Sequence, residues 1–570
     1  MMLRKQPTYW DVLILSFFTV LITWHPYFMH GKINIFEIGL YLPGIQSVLN
    51  GEIPYRDVFH LRGPLELYVP ALLMKLFGVH IGVLYAYFYV GSVLCLIFCA
   101  LIAKEFLKTR FALYLFVPVL VARTFPRVVF TYWGGMRYAL GLLAVWFIIK
   151  FFKSKKSRWL LGAGIVSALA SLTSIEMGIY AGLGALAALA VSYVLKVQDR
   201  KVLATGLGMY FAGIALIAVP YGIYLWVNSA LVPYFDSTLT IVTNMQKVID
   251  PHLVSVYPRN FSEALVAMSN PFHTNFKHMT PSFLYILLLV YLFREYRNKK
   301  FSREDLMLIC LGIYGFIMYN TGFRGIWAAQ FEMALQPEKI LLFFFAEMFL
   351  LLAIDFSYQK RTVLLVGLRY FLIVAMIGSS LGYAIARYNH RFFAFKFLSD
   401  RIKGKDTADL RPLADEDARA LKIERAKGII VPEEQADELE QVQEFVRTHV
   451  AKDEVLFTYP ELGTYNFFVD RRFYGRFPLA TFTWFNDRWH VELLEQLNSS
   501  KPRYVILEKE ISQGWKDVYL GLEPNRRKFK EMMDFIYANY TAIGETRLSR
   551  IYQLRLVPPS AGQGGSSHGL

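Results

Sequence analysis

The chain has 570 residues, 61 Lys+Arg against 45 Asp+Glu for a net charge of +16, and it is 55% hydrophobic with only 19% charged. That composition is too apolar for a soluble multidomain protein, excludes collagen, coiled coil and disorder, and reads as a membrane protein. The charge excess lies wholly in the apolar part, because residues 1 to 390 hold 34 basic against 18 acidic residues while residues 391 to 570 hold 27 of each; no basic soluble domain for nucleic acid is visible.

A bilayer is crossed by about 20 mostly apolar residues in a helix, since every backbone polar group must then be satisfied within the segment. Eleven stretches meet that description, at 11–29, 81–103, 111–122, 138–150, 159–173, 175–195, 203–227, 281–294, 306–320, 339–356 and 363–386. The third and eighth are short for a span. Before the first stand only Arg4 and Lys5, with no small-residue cleavage site after it, which predicts a retained anchor. Lys and Arg mark the cytoplasmic ends of short loops. Segments 1–10, 104–110, 150–158, 195–202, 294–305 and 357–362 carry 20 cations in 52 positions, against 12 in 138 for 30–80, 123–137, 228–280 and 321–339. The first set is assigned inside and the second outside, so an odd number of spans leaves the C-terminus outside, periplasmic in a Gram-negative cell. Cys95, Cys99 and Cys310 lie within apolar runs and read as packing residues rather than as a disulfide framework or a zinc site.

From about residue 391 charged residues multiply and the periodic pieces shorten, which predicts a soluble external α/β domain over 391–556. Its expected elements are a helix from Pro432 to about Val450, a strand at Val455–Tyr459, a helix near Arg488–Asn498, a strand at Tyr504–Glu508, a helix near Asn525–Tyr540 and a β-rich end at 541–556. The tail 557–570 has the composition of a disordered segment. The fold class expected is therefore mainly α, a polytopic bundle of about eleven transmembrane helices over 1–390 followed by that domain. No Walker motif, dinucleotide fingerprint or His-Glu metal helix occurs, which lowers the expectation of an ATP-driven pump.

The loop 30–80 gathers Glu37, Asp57, His60, Arg62 and Glu66 among glycines, prolines and tyrosines, and long charged loops at a membrane surface are commonly functional. Glu52 and Arg56 read as solvated. Glu37 sits in the apolar context INIFEIGLYLPGI, where a carboxylate is costly to ionise and its pKa rises, as a general base requires. Arg137, in TYWGGMRYALG at the outer entrance of a span, offers a second cation with bidentate reach to phosphate oxygens, snorkelling to the interface being the alternative. Arg123 and Arg127 are weaker equivalents. Glu176 is an intramembrane acid, a default functional hypothesis, with helix-capping by Ser174 and hydrogen bonding within the bundle as the alternative. Arg324 and Glu332 could gate or bind the donor lipid, but a solvated face is the preferred reading of both. The loop 228–280, with Asn244, Asp250, His252, Tyr257, Arg259 and an amphipathic stretch near Phe261–Met268, could lie on the membrane surface. His252 and His273 are too isolated to suggest a metal.

The stretch FEIGLYLPGIQSVLNGEIPYRDVFHLRGPLELYVPALLMKLFG, residues 36 to 78, resembles the first-loop signature of the GT-C superfamily of membrane glycosyltransferases: an acid, a Tyr, a small-residue helix, Gly-x-x-Pro-Tyr-x-Asp, a basic-Pro-Pro-Leu-like element and Leu-Phe-Gly. Protein O-mannosyltransferases and lipid A aminoarabinose transferases share it, and the resemblance continues more weakly to about residue 390. This chain has Glu rather than Asp at position 37 and Gly63-Pro64 where Pro-Pro is commoner. The resemblance implies an inverting transfer of a sugar from a polyprenyl-phosphate carrier to a glycan, lipid or protein acceptor hydroxyl at the outer face of the inner membrane. Membrane lipids are then partners and nucleic acid is not. It also implies Glu37 as base, Asp57 as the acid after Pro-Tyr, and Arg62 as the cation toward donor phosphate. Some relatives use a divalent metal and others do not, so metal dependence stays open. The competing classes are a flippase for a lipid-linked glycan, which would show two related halves, and a glycan polymerase or ligase, which the long 228–280 loop keeps in view.

Overall fold

The computed structural model describes residues 5–23, 32–124, 135–244, 276–322, 336–360, 363–388, 418–427, 429–478, 485–511 and 520–555, with single residues 262, 403 and 516. It is mainly helical with a C-terminal α/β region. A helix lies over each of the eleven apolar stretches: Tyr9–Thr23, Ile81–Phe106, Arg110–Thr124, Gly135–Ser154, Arg158–Thr173, Ile175–Val194, Arg200–Val227, Phe276–Arg297, Arg303–Gly322, Gln336–Lys360 and Val363–Tyr388. Among the described residues four of them, Ile81–Phe106, Gly135–Ser154, Ile175–Val194 and Arg200–Val227, are long and apolar enough to cross a membrane. Phe17, Phe211, Leu216, Leu289 and Phe371 point large apolar side chains out of the bundle, which suits a hydrocarbon surrounding rather than water.

Small residues set how closely the helices cross. A Cβ added at Gly91 would stand 2.4 Å from the Met136 nitrogen, and one at Gly135 2.4 Å from the Ser92 nitrogen, so the helices Ile81–Phe106 and Gly135–Ser154 touch backbone to backbone next to Arg137. At one end of the bundle Glu105 accepts from Tyr9, Lys104, Lys150 and Lys153, Arg110 pairs with Asp11, and the Gln198 amide donates to Phe152 O. Four of the six basic segments therefore meet at that end.

The 30–80 loop forms three short helices, Ile35–Gly39, Leu42–Leu49 and Leu65–Phe77. Asn34 caps the first, Pro43 enters the second, and Gly51 at φ +86° turns the chain after it in a conformation that favours glycine. Ile33, Ile38, Tyr41, Ile45 and Phe59 of this loop share one hydrophobic core with Leu439, Tyr465, Phe468 and Trp489 of the C-terminal region.

That region carries β1 (Ala418–Ala420) antiparallel to β2 (Ile430–Pro432) and a five-stranded mixed sheet. The sheet contains β3 (Val455–Tyr459), β4 (Arg472–Phe473), β5 (Tyr504–Glu508), β6 (Tyr540–Glu545) and β7 (Ser549–Leu554), in the order β4-β3-β5-β7-β6. β3 runs parallel to β4 and β5, and β7 antiparallel to β5 and β6. Helices Glu433–His449, Gly463–Phe468, Asp487–Ser499 and Glu523–Asn539 complete it. The tail 557–570 lies outside the described residues.

Candidate active site

Glu37 occupies the first turn of the Ile35–Gly39 helix, where its backbone nitrogen donates to the Asn34 side chain at 3.1 Å. The residue is 6% exposed. Burial pushes its carboxyl up to about 7, against the opposing pull of the Arg62 and Arg137 cations. Four residues on, Tyr41 is buried, its hydroxyl without a hydrogen-bond partner among the described residues, its ring edge-on to His60 at 6.1 Å and to Phe88 at 5.0 Å.

Arg62 stands with its guanidinium 5.9 Å from the Tyr41 ring centroid. Two backbone contacts fix it: the Tyr55 hydroxyl donates to Arg62 O at 2.5 Å, and Gly63 N donates to Thr173 O at 2.9 Å. Gly63 is where the loop lies directly on the end of the Arg158–Thr173 helix, since a Cβ there would be 2.2 Å from Leu172 O. Glu66 follows in the first turn of Leu65–Phe77, fully buried, with Oε1 accepting from the Tyr87 hydroxyl at 3.4 Å and Oε2 without a partner among the described residues. Burial pushes its carboxyl to about 7 as well, opposed first by Arg62. The buried His60 imidazole is pushed down to about 3 by desolvation and Arg62, so it is neutral at physiological pH.

Arg137 reaches the same cluster from the Gly135–Ser154 helix. Its Nη2 donates to Tyr138 OH at 2.8 Å, and Nη1 to Ser174 Oγ at 3.5 Å and Glu176 Oε1 at 3.4 Å. Ser174 Oγ donates to Glu176 at 2.5 Å, which holds that carboxylate against the arginine. Glu37, His60, Arg62, Glu66 and Arg137 are thus gathered around Tyr41 in one electrostatically connected group, which Glu176, its side chain 34% exposed, joins at the edge through Arg137 and Arg62. Tyr41 stood in the sequence only as the Tyr of the first-loop signature, with no role assigned to it, and Tyr87 was not singled out.

Asp57 lies elsewhere. Its carboxylate accepts from Ile53 N at 2.8 Å and from Arg56 at 2.7 Å, closing the turn in which Tyr55 takes a φ of +71°. The Arg56 hydrogen bond holds its pKa below the usual carboxylate range, and its side chain is 29% exposed. It faces a separate cleft of about 630 Å³ whose walls include Tyr55, Arg56, Asp236, Arg476, Arg488 and Glu492. Arg127, Arg324, Glu332, Asp250, His252, Tyr257, Arg259, His273 and, apart from residue 262, the 261–268 stretch lie outside the described residues, as does the Arg123 side chain. Among the described residues no group of three or more His, Cys, Asp or Glu is disposed to hold a metal ion.

An ionisable carboxylate with a pKa near neutrality can take a proton at physiological pH, and fixed arginines can hold anionic oxygens beside it. No protein-family model and no curated protein matches the sequence. Over almost its whole length, the chain is similar in structure to two solved proteins. ArnT from Cupriavidus metallidurans, an aminoarabinose transferase, matches in its apo state with a TM-score of 0.49 and 11% identity, over 95% of this chain and 96% of that one. The same protein bound to undecaprenyl phosphate matches with a TM-score of 0.48, 11% identity and the same coverage. An oligosaccharyltransferase of Archaeoglobus fulgidus, tethered to an acceptor peptide through a disulfide, matches with a TM-score of 0.43 and 12% identity over 94% of this chain and 72% of that one.

Proposed function

We propose that this chain is an inverting membrane glycosyltransferase that moves a sugar from a polyprenyl-phosphate carrier to an acceptor hydroxyl at the outer face of the membrane. The observation that carries the reading is the single buried cluster in which Glu37 and Glu66, both near neutrality, share the Arg62 and Arg137 cations. In the step proposed, Glu37 takes the acceptor hydroxyl proton as that oxygen forms a bond to the anomeric carbon. The bond from that carbon to phosphate oxygen breaks on the opposite face, and the departing polyprenyl phosphate carries the electron pair. Arg62, with Arg137, holds the phosphate charge that grows there; such contacts act most strongly where water is excluded. Tyr41 lines the site between them, and Asp57 acts at one remove by closing the turn that leads to Arg62.

The same reading takes the eleven helices as spans of an inner membrane, with Glu37 and the C-terminal domain on the outer, periplasmic side. The acceptor is a glycan, lipid or protein. The test is to incubate the purified chain with a panel of polyprenyl-phosphate sugars and follow release of polyprenyl phosphate; release from at least one donor supports the reading, and none from any donor with any acceptor removes it.

A further inference from the structure

The loop bearing Glu37 and Arg62 is gripped by the C-terminal domain near both of those residues. Ahead of Glu37, the Gln435 carboxamide accepts from Ile33 N at 2.7 Å and donates to Ile33 O at 2.9 Å, pairing with that residue as a neighbouring strand would. Two residues on, Thr464 Oγ1 donates to Ile35 O at 2.5 Å. Asn34, between them, caps the turn that holds Glu37. Gln435 and Thr464 are 5% and 0% exposed and Ile33 is 1% exposed, so without Gln435 the Ile33 backbone groups would lose their hydrogen bonds at a buried position.

Ahead of Arg62, Phe59 N donates to Arg476 O at 2.6 Å and Arg476 Nη1 donates to Tyr55 O at 3.5 Å. The Tyr55 hydroxyl then holds the Arg62 carbonyl at 2.5 Å. Arg476 is itself fixed by two bonds to Glu492, at 2.5 and 2.8 Å. The shared apolar core holds the two parts together, but apolar contact is non-directional and permits sliding. The hydrogen bonds are directional and set register.

We propose that Gln435, Thr464 and Arg476 are positioning residues of the transfer reaction, through which the C-terminal domain sets the register of the base against the phosphate-binding arginine. This rests on the proposed transferase reading. None of the three touches the reacting atoms; Gln435 and Thr464 act on Glu37 through the Ile33–Ile35 backbone, and Arg476 acts on Arg62 through Tyr55. The separation of base and phosphate site matters because reaction needs a near-attack geometry, whereas donor binding depends on the arginines alone.

The experiment measures turnover and donor KM for the full chain with Thr464→Val, Thr464→Ser and Gln435→Met, per mole of folded protein, alongside Glu37→Gln. Thr464→Val, nearly isosteric, is expected to lower turnover about 10- to 100-fold with donor KM within about twofold of the parent, because a misplacement of about 1 Å costs that much in rate. Thr464→Ser restores the hydroxyl and recovers most of the turnover, while Gln435→Met behaves like Thr464→Val. Parent-like turnover in Thr464→Val and Gln435→Met beside an inactive Glu37→Gln overturns the positioning role and leaves the transferase reading standing. So does a loss that falls equally on turnover and donor affinity, or one that Thr464→Ser does not rescue. A fully active Glu37→Gln overturns the assignment of the base instead.

Discussion

At the scale of single residues, the contest at Glu37 is between desolvation, which favours the neutral acid, and two arginines, which favour the carboxylate; burial wins and leaves the group near 7. The sign follows directly. The base must be ionised, so the rate climbs with pH through about 7 and levels off above it. Glu66 is also near 7 and is likewise opposed by Arg62, so the limb reports the pair until Glu66→Gln separates them. Arg62→Ala is expected to raise the donor KM and lower turnover, a charge-assisted contact contributing about 1.5 to 3 kcal/mol, with Lys only a partial substitute because it lacks the planar fork. Steady-state kinetics on the identified donor check this, and unchanged donor kinetics would remove Arg62 from the phosphate site. Glu37 was legible in the sequence because an isolated charge in an apolar stretch is conspicuous, and Arg62 through the basic-Pro-Pro-Leu-like element of the first-loop signature. Asp57 looked the same by type and spacing, but only the fold shows that its carboxylate is spent on Ile53 N and Arg56.

At the scale of elements, the decisive contact is the one between Gly63 and the end of the Arg158–Thr173 helix. The atom that a Cβ would meet at 2.2 Å is the backbone oxygen of Leu172, which cannot swing aside as a side chain could. Gly63→Ala is therefore expected to cost about 1 to 3 kcal/mol of stability by overpacking and to lower turnover at least as far as Arg62→Ala. Thermal unfolding and kinetics measured together check it; an alanine variant with parent-like values in both would show that the loop has room to move. Long elements were readable from apolar run length and composition: the eleven helices fall on the apolar stretches, and the strands Val455–Tyr459 and Tyr504–Glu508 coincide with their β-branched and aromatic runs. The Gly463–Phe468 helix and the strand Arg472–Phe473 were not, being too short to show a period.

At the scale of the molecule, sequence-distant parts make one packed unit: the 30–80 loop, the Arg137 helix and a region some 400 residues downstream in the chain share either a core or a charge cluster. No local pattern encodes such pairing, which is why the sequence separated a membrane part from a soluble one and missed the join. The orientation is open to a labelling test, and the native Cys95, Cys99 and Cys310 are buried, so the background is low. An exposed Asp453→Cys should react with an impermeant thiol reagent in intact cells and Lys156→Cys only after permeabilisation; the opposite pattern would invert the molecule. The central claim, that a buried Glu37 drives sugar transfer from a lipid phosphate, is tested most directly by the initial rate of polyprenyl phosphate release from one donor by the parent and by Glu37→Gln, at pH values either side of 7. The account predicts a parent rate that rises with pH and a glutamine variant about 10²- to 10⁴-fold slower with donor affinity nearly intact. A glutamine variant that releases polyprenyl phosphate at the parent's rate, with the same pH dependence, would contradict it.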